Sequence, residues 1–139
     1  MDIRECLERD LLKKDVPDSR KAARSVAIAR LRLTKAAKLI SAGFFDEALV
    51  NAYAAMFHAG RALLFKDGFR EKSHYGLYVY ISEKYRDKLE PRFISELDSL
   101  RLERHAIMYS LESIGVSRKE AEDILGVAKD FVAALEKLL

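Results

Sequence analysis

Apolar side chains recur at helical spacing in every long segment of this 139-residue chain. No segment shows the sustained alternation of apolar and polar residues that is typical of a half-buried strand. The pattern therefore predicts an all-α protein. Because the connections between the predicted helices are short, we expect an up-and-down antiparallel helix bundle of four to five helices. The length predicts a single domain over residues 1–139.

Helix-breaking residues divide the chain into segments. Pro17 and Pro91 suit helix boundaries, while Gly43 and Gly68 suit helix ends. Ser117 with Glu120 has the spacing of a capping box. The expected helices cover about residues 2–14, 19–42, 46–66, 73–89, 91–113 and 117 onward.

One arginine interrupts the apolar seam of the predicted helix at 91–113. The seam positions are Phe93, Leu97, Leu100, Arg104, Ile107, Leu111 and Ile114. A guanidinium is costly to bury without a partner, so we expect an anion, a carboxylate or a polar cleft beside Arg104. His105 follows it directly, and Tyr109 lies just over one turn further on. This stretch is the lead candidate site.

The predicted helix at 46–66 is apolar on more than one side, which is typical of a central helix. Its remaining face alternates small with polar residues: Asn51, Ala54, Ala55, His58, Arg61 and Ala62. Such a face either lets another helix approach closely or lines a cleft. His58 is accordingly either a core histidine or a site residue.

The predicted second helix is basic, since no acidic residue occurs between Asp18 and Asp46. Its cations are Arg20, Lys21, Arg24, Arg30, Arg32, Lys35 and Lys38. At about 100° per residue, all but Arg30 occupy about a third of the circumference. The net charge of +3 does not by itself indicate nucleic-acid binding. The face is either a phosphate-binding surface or a solvated face that aids solubility.

Other functional classes have no support in the sequence. No apolar run approaches the ~20 residues that span a bilayer, and the N-terminus lacks a signal-peptide pattern, so we expect no membrane association and a cytoplasmic location. The single cysteine, Cys6, is a poor metal ligand without a second thiol. There is no phosphate-cradling glycine loop and no serine nucleophile elbow. We therefore expect no metal and no organic cofactor.

Three signatures occur in order along most of the chain. They are residues 52–64 (AYAAMFHAGRALL), residues 72–77 (KSHYGL), and Leu97, Leu100, Arg104, His105 and Tyr109. Together they resemble the HEPN domains of prokaryotes, specifically a small stand-alone subgroup whose members often sit beside a minimal nucleotidyltransferase. The match in order and spacing runs from about Ala22 to the C-terminus.

The resemblance implies a homodimer with a cleft at its two-fold axis, where the motif arginines of both subunits meet. The small-residue face around Ala55 and Ala62 is the sequence feature that supports this dimer. Catalytic members are metal-independent ribonucleases that carry an arginine, a polar residue and then a histidine five to seven positions after the arginine. Arg104 and His105 fit the first two places, but residues 109–111 contain no histidine.

The leading hypothesis is therefore a HEPN module with a degenerate ribonuclease motif. It dimerises, binds RNA or a nucleotide, and works with a nucleotidyltransferase partner in a toxin-antitoxin-type system. In that setting Tyr109 is a candidate for modification with AMP by the partner. Lys72 and His74 either reach a phosphate at a helix N-terminus or flank a capping Ser73. The candidate binding residues are Arg104, His105, Tyr109, His58, Arg61, Lys72 and His74.

Two alternatives stay open. The first is an active metal-independent HEPN ribonuclease toxin that uses Arg104 with His105, or with a histidine from another helix. The second is a structural helical adaptor, in which Arg104 only pairs with a buried carboxylate. The missing motif histidine favours a protein that is not an enzyme.

Overall fold

The computed structural model describes all residues from Met1 to Leu139. In chain order the elements are α1 (Ile3–Glu8), β1 (Leu12–Lys14), α2 (Ser19–Ser41), α3 (Phe45–Asp67), β2 (Phe69–Glu71), α4 (His74–Lys84), α5 (Pro91–Tyr109) and α6 (Arg118–Glu136). The predicted all-α helix bundle is confirmed, with two three-residue strands added to it. None of the helices is both long and apolar enough to cross a membrane.

Helices α2 and α3 pack along most of their length through small side chains. On α3, Ala55 and Ala62 lie one turn on either side of His58 and are completely buried. From α2, the hydroxyl of Ser25 donates a hydrogen bond of 2.6 Å to the carbonyl oxygen of His58. The small-residue face of α3 therefore packs against α2 of the same chain. The prediction that Ala55 and Ala62 support a dimer is wrong, because both side chains are buried within the chain's own core.

Helices α5 and α6 complete the core around α3. Phe131 of α6 is fully buried and meets Phe93 of α5 edge to face, with 5.7 Å between the ring centroids. Leu97 and Leu100 continue the buried side of α5. At the start of α6, the backbone N–H of Glu120 donates to the hydroxyl of Ser117, which confirms this half of the predicted capping box.

The predicted first helix is too long. Helix α1 ends at Glu8, Asp10 takes a left-handed backbone with φ of 58°, and β1 then pairs antiparallel with β2 in the register Leu12 with Glu71. Three-residue strands are too short to show an alternating pattern, and their partner lies far along the chain. The sequence therefore gave no sign of this pair.

The small sheet positions the start of α4. The N–H of Lys72 and the hydroxyl of Ser73 both donate to the carbonyl oxygen of Leu11. Ser73 also caps α4 by accepting from the N–H of Gly76 at 2.8 Å. The backbone passes so close that a Cβ on Gly76 would lie 2.1 Å from the Leu11 oxygen. His74, the first residue of α4, is consequently held in place by residues from the N-terminus.

Two helices end earlier than predicted. Helix α4 stops at Lys84 instead of about residue 89, and α5 stops at Tyr109 because Ser110 has an extended backbone with ψ of 143°. The predicted seam of α5 therefore ends at Ile107, which is partly buried against the core. Leu111 is fully exposed.

Candidate functional site

A cavity of about 280 Å³ lies between α2, α3, α5 and the start of α4. We call it the Arg104 cleft. Its ten lining residues are Arg32, Val50, Asn51, Tyr53, Ala54, Phe57, His58, His74, Arg104 and Met108. Two of these residues are arginines and none is acidic. The cleft thus concentrates positive charge without a carboxylate in its wall.

Arg104 has no acidic partner. Its Nε is buried without a hydrogen-bond partner, and no carboxylate lies within ion-pair distance of its guanidinium. Its Cζ lies 5.7 Å from the centroid of the Tyr53 ring, a cation–π geometry. Arg101, about one turn earlier on α5, differs because it donates two hydrogen bonds to Asp98, at 2.8 and 3.1 Å. The hypothesis that Arg104 pairs with a buried carboxylate is therefore wrong.

Tyr53 and His74 form the hydrogen-bonded wall of the cleft. The Tyr53 hydroxyl lies 2.8 Å from Nδ1 of His74, and Tyr53 is 1% exposed. The His74 ring also stacks on Phe57, with 4.3 Å between the ring centroids. The hydrogen bond to Tyr53 and the stacking on Phe57 together hold the imidazole ring in place. Nε2 of His74 has no hydrogen bond within the chain.

Burial makes both cleft histidines weak bases. The pKa of His74 is lowered to about 4, first by burial and then by Arg104 and Arg101. The pKa of His58 is also lowered to about 4, first by burial and then by Arg61 and Arg32. Both imidazoles are therefore neutral at pH 7. Nδ1 of His58 is buried without a partner, so this ring carries an unused polar atom.

Tyr53 keeps its proton. Burial raises the pKa of its phenol to about 12, although Arg104 and Arg101 act in the opposite direction. The phenol can therefore donate a hydrogen bond throughout the neutral range, but it does not supply a negative charge to balance Arg104.

The structure brings three of the seven predicted site residues together. Arg104, His58 and His74 come from three different helices and all line the cleft. His105 and Tyr109 lie outside its lining; both are exposed on α5, where their ring centroids are 4.8 Å apart. This matches the expected turn of His105 away from Arg104 along an ideal helix.

Arg61 and Lys72 lie beside the cleft rather than in its wall. The Nε of Arg61 is 2.7 Å from a carboxylate oxygen of Glu71, and its guanidinium lies over the rings of Phe57 and Phe65. Lys72 lines a second, open cavity of about 520 Å³. His74 lines both cavities, so it lies where they meet.

Sequence reasoning missed three polar residues of the cleft. Arg32 belongs to the basic face of α2, and its Nη1 donates to Oδ1 of Asn51 at 3.0 Å. Asn51 lies on the polar face of α3, about two turns before His58. Tyr53 lies within the first of the three signatures, but its position on α3 is among apolar residues and does not indicate a polar contact. The sequence did place Asn51 and His58 on the polar face of α3 and Arg32 on the basic face of α2. No local pattern indicated that these two faces meet at one cleft.

The other cations of α2 do not join the cleft. Arg30 forms an ion pair with Glu136 of α6, while Arg24, Lys35 and Lys38 are exposed. The structure has no group of three or more His, Cys, Asp or Glu side chains that could jointly hold a metal ion. The chemistry available in the cleft is therefore that of arginine, imidazole, phenol and amide groups.

A model of the HEPN domain family matches residues 22–138. With its helix bundle and its arginine-lined cleft, the chain belongs to the HEPN domain family. It is similar to a Methanocaldococcus jannaschii protein named "Putative toxin MJ0605", with 30% identity over 135 residues, which cover 93% of this chain and 95% of that protein. The family expected from the three signatures is thus confirmed.

Proposed function

We propose that this HEPN chain is a toxin-type module that binds a phosphate group of RNA or of a nucleotide in the Arg104 cleft. The observation that carries the proposal is the unpartnered Arg104, whose buried Nε faces no acid in a cleft that also contains Arg32. A buried cation without a counter-charge is unfavourable, and a phosphate would supply both the charge and the acceptor oxygens. The name of the archaeal relative supports the toxin class.

The polar groups of the cleft suit a phosphate ester. Arginine presents several N–H donors in a plane, which matches the oxygens of a phosphate. A neutral imidazole adds a donor without adding charge. Tyr53 is too deeply buried to stack on a base, but Phe57 is half-buried at the cleft wall, and aromatic side chains of this kind stack on nucleic-acid bases. The combination favours a nucleotide or single-stranded RNA over a small inorganic anion.

A homodimer is part of the proposal. Apolar side chains are exposed on both helices that flank the cleft: Leu31 of α2 is 70% exposed and Met108 of α5 is 52% exposed. Covering this surface with a second copy would bury apolar area and place two clefts near each other.

A nucleotidyltransferase partner completes the leading hypothesis. Tyr109 is the candidate acceptor of AMP, and its exposure leaves the phenol accessible to a second enzyme. Its ring contacts the His105 ring at a tilted angle at the end of α5, near the exposed segment that follows. The partner would be a protein with its own nucleotide site.

An active ribonuclease is the second candidate function. It is favoured by the presence of two histidines, His58 and His74, in the same cleft as Arg104. In-line RNA cleavage needs a base, an acid and positive charge on the phosphate. With pKa values of about 4, the two imidazoles are weak bases, although a bound phosphate would raise both values.

Binding is tested with fluorescently labelled single-stranded RNA in excess EDTA. We expect the affinity to fall as salt is raised, and Arg104→Gln to weaken binding by about 10- to 100-fold. Arg118→Gln is the matched control, because it removes the same charge from an exposed position on α6. An equal loss of RNA affinity in Arg104→Gln and Arg118→Gln, or no RNA binding by the parent protein, would contradict the proposal.

Cleavage is followed in the same samples over time. RNA cleavage by the parent that disappears in folded His74→Gln or His58→Gln would establish the ribonuclease. Cleavage lost in His105→Gln alone would instead assign the reaction to the exposed histidine. Binding without cleavage supports the degenerate module.

A further inference from the structure

Tyr53 contacts two of the charged or polar groups of the Arg104 cleft at once. Its hydroxyl is hydrogen-bonded to His74 of α4, and the face of its ring lies under the guanidinium of Arg104 from α5. No other residue of the cleft touches both groups through a hydrogen bond and a cation–π contact. Tyr53 therefore couples the positions of side chains from two different helices.

The direction of the hydrogen bond follows from the surroundings of the hydroxyl. Tyr53 is 1% exposed, and Nδ1 of His74 is the only hydrogen-bond partner of its oxygen. If Nδ1 carried the proton and donated it, the phenol O–H would be left without an acceptor, because neighbouring Arg104 has donors only. A buried hydroxyl without an acceptor is unfavourable. The phenol must therefore donate to an unprotonated Nδ1.

We infer that Tyr53 is a positioning residue that fixes His74 as the tautomer protonated on Nε2 and holds Arg104 beside it, so that both present N–H groups to one phosphate. The phosphate-binding part rests on the proposed function. The tautomer does not, since it follows from contacts within the chain. His74 acts here as a neutral donor, with Nε2 free for the ligand.

This arrangement explains how the cleft can add a donor without adding charge. A protonated imidazole next to the guanidinium groups of Arg104 and Arg101 would repel them, whereas a neutral ring with a fixed N–H does not. Fixing the tautomer beforehand also lowers the entropy lost when a ligand binds. Tyr53 thus prepares the cleft for an oxyanion through contacts within the chain.

The tautomer is measured by two-dimensional NMR of the imidazole nitrogens in uniformly ¹⁵N-labelled protein at pH 7. The chain has three histidines, so His58→Gln and His105→Gln assign the signals. In the parent protein we expect His74 to show a protonated Nε2 and an unprotonated Nδ1. A protonated Nδ1 would overturn the inference directly, without the need for any variant of Tyr53.

Tyr53→Phe removes the hydroxyl and keeps the ring. We expect His74 to become a mixture of tautomers, while the cation–π contact with Arg104 persists. Tyr78→Phe is the matched control: it removes a phenol hydroxyl from a tyrosine on α4 that packs against Tyr75 and has no hydrogen bond within the chain. A His74 spectrum that is the same in the parent and in Tyr53→Phe would refute the positioning role.

A titration with inorganic phosphate separates the two claims. We expect phosphate to shift the Nε2–H signal of His74 in the parent but not in Arg104→Gln, and Tyr53→Phe to weaken phosphate binding about 5-fold. If the tautomer is as inferred but phosphate has no effect on this signal, the anion-binding proposal fails while the role of Tyr53 in setting the tautomer stands.

Discussion

The guanidinium of Arg104 lies over the ring of Tyr53, with 5.7 Å between Cζ and the ring centroid, and faces no carboxylate. The same helix shows the ordinary arrangement about one turn earlier, where Arg101 lies over Tyr75 and is neutralised by Asp98. Both arginines stack on tyrosines, but only the one in the cleft is left without a counter-charge. This difference is the basis of the binding proposal.

Removing the charge of Arg104 should not destabilise the fold. Arg104→Gln keeps part of the side-chain packing and removes a partly buried cation without an acidic partner, so we expect an unchanged or slightly higher melting temperature. Thermal unfolding followed by circular dichroism measures this. Arg101→Gln serves as the comparison, and we expect it to lower the melting temperature because Asp98 loses its partner. A large loss of stability in Arg104→Gln alone would indicate a structural role.

The pKa of His74 should rise when Arg104 is replaced. Arg104 is the largest electrostatic cause, after burial, of the lowered pKa of about 4. Removing it in Arg104→Gln should move the value upward toward the ordinary 6.5. An NMR titration of the imidazole signals measures the change. The pKa of His58 provides an internal control, because its lowered value arises from burial, Arg61 and Arg32.

The fold should lose stability as the pH falls from about 6.5 to about 4. The pKa values of His58 and His74 are about 4 in the folded chain but near 6.5 when unfolded, so the unfolded state binds more protons across this window. The free energy of unfolding then decreases as the pH falls. Protonation of the two imidazoles in the folded chain is opposed by the basic groups around them, which are Arg32, Arg61, Arg101, Arg104 and His105.

Urea denaturation at pH 7 and at pH 4.5 measures this dependence. His58→Gln and His74→Gln should each reduce the difference between the two pH values, since a neutral amide cannot take up the proton. The exposed His105 is the control position, and His105→Gln should keep the full difference. A pH dependence that is the same in all three variants would show that other groups are responsible.

Substitution of Gly76 should disrupt the start of α4. A Cβ at this position would lie 2.1 Å from the carbonyl oxygen of Leu11, so the backbone of one segment must move. We expect Gly76→Ala to lower the free energy of unfolding by about 1–3 kcal/mol and to weaken RNA binding by displacing His74. Gly126→Ala is the control, since its Cβ would meet no atom within 4 Å and alanine favours the helix by about 0.5–1 kcal/mol. Chemical denaturation measures the free energy of unfolding of both variants.

A charge at position 31 should prevent dimerisation. Leu31 is 70% exposed on α2, so Leu31→Glu is compatible with the folded chain but not with an apolar interface. Light scattering coupled to size-exclusion chromatography should give a dimer for the parent and a monomer for the variant. The comparison is Leu139→Glu, which replaces another exposed leucine at the far end of the chain. The proposed interface would be contradicted if the parent were a monomer, or if Leu31→Glu were a dimer like the parent.

The fold class could be predicted because helical periodicity is a local property. Each long helix carries its own apolar stripe, and residues such as Gly43, Gly68 and Ser117 mark its ends within a few positions. The strands β1 and β2 could not be predicted in the same way. Each is three residues long and exists because the other lies beside it, so no local pattern indicates them.

The sequence determined the long helices and the HEPN family, and it singled out Arg104 as the lead candidate, since a cation in an apolar seam is visible from the spacing of residues on one helix. Only the tertiary structure decided what surrounds that cation. Arg32, Tyr53 and His74 come from three different elements, and their meeting with Arg104 depends on how the helices cross and on where the sheet places the start of α4. Spacing along one helix specifies a face, whereas a cleft is specified by the packing of several faces against one another.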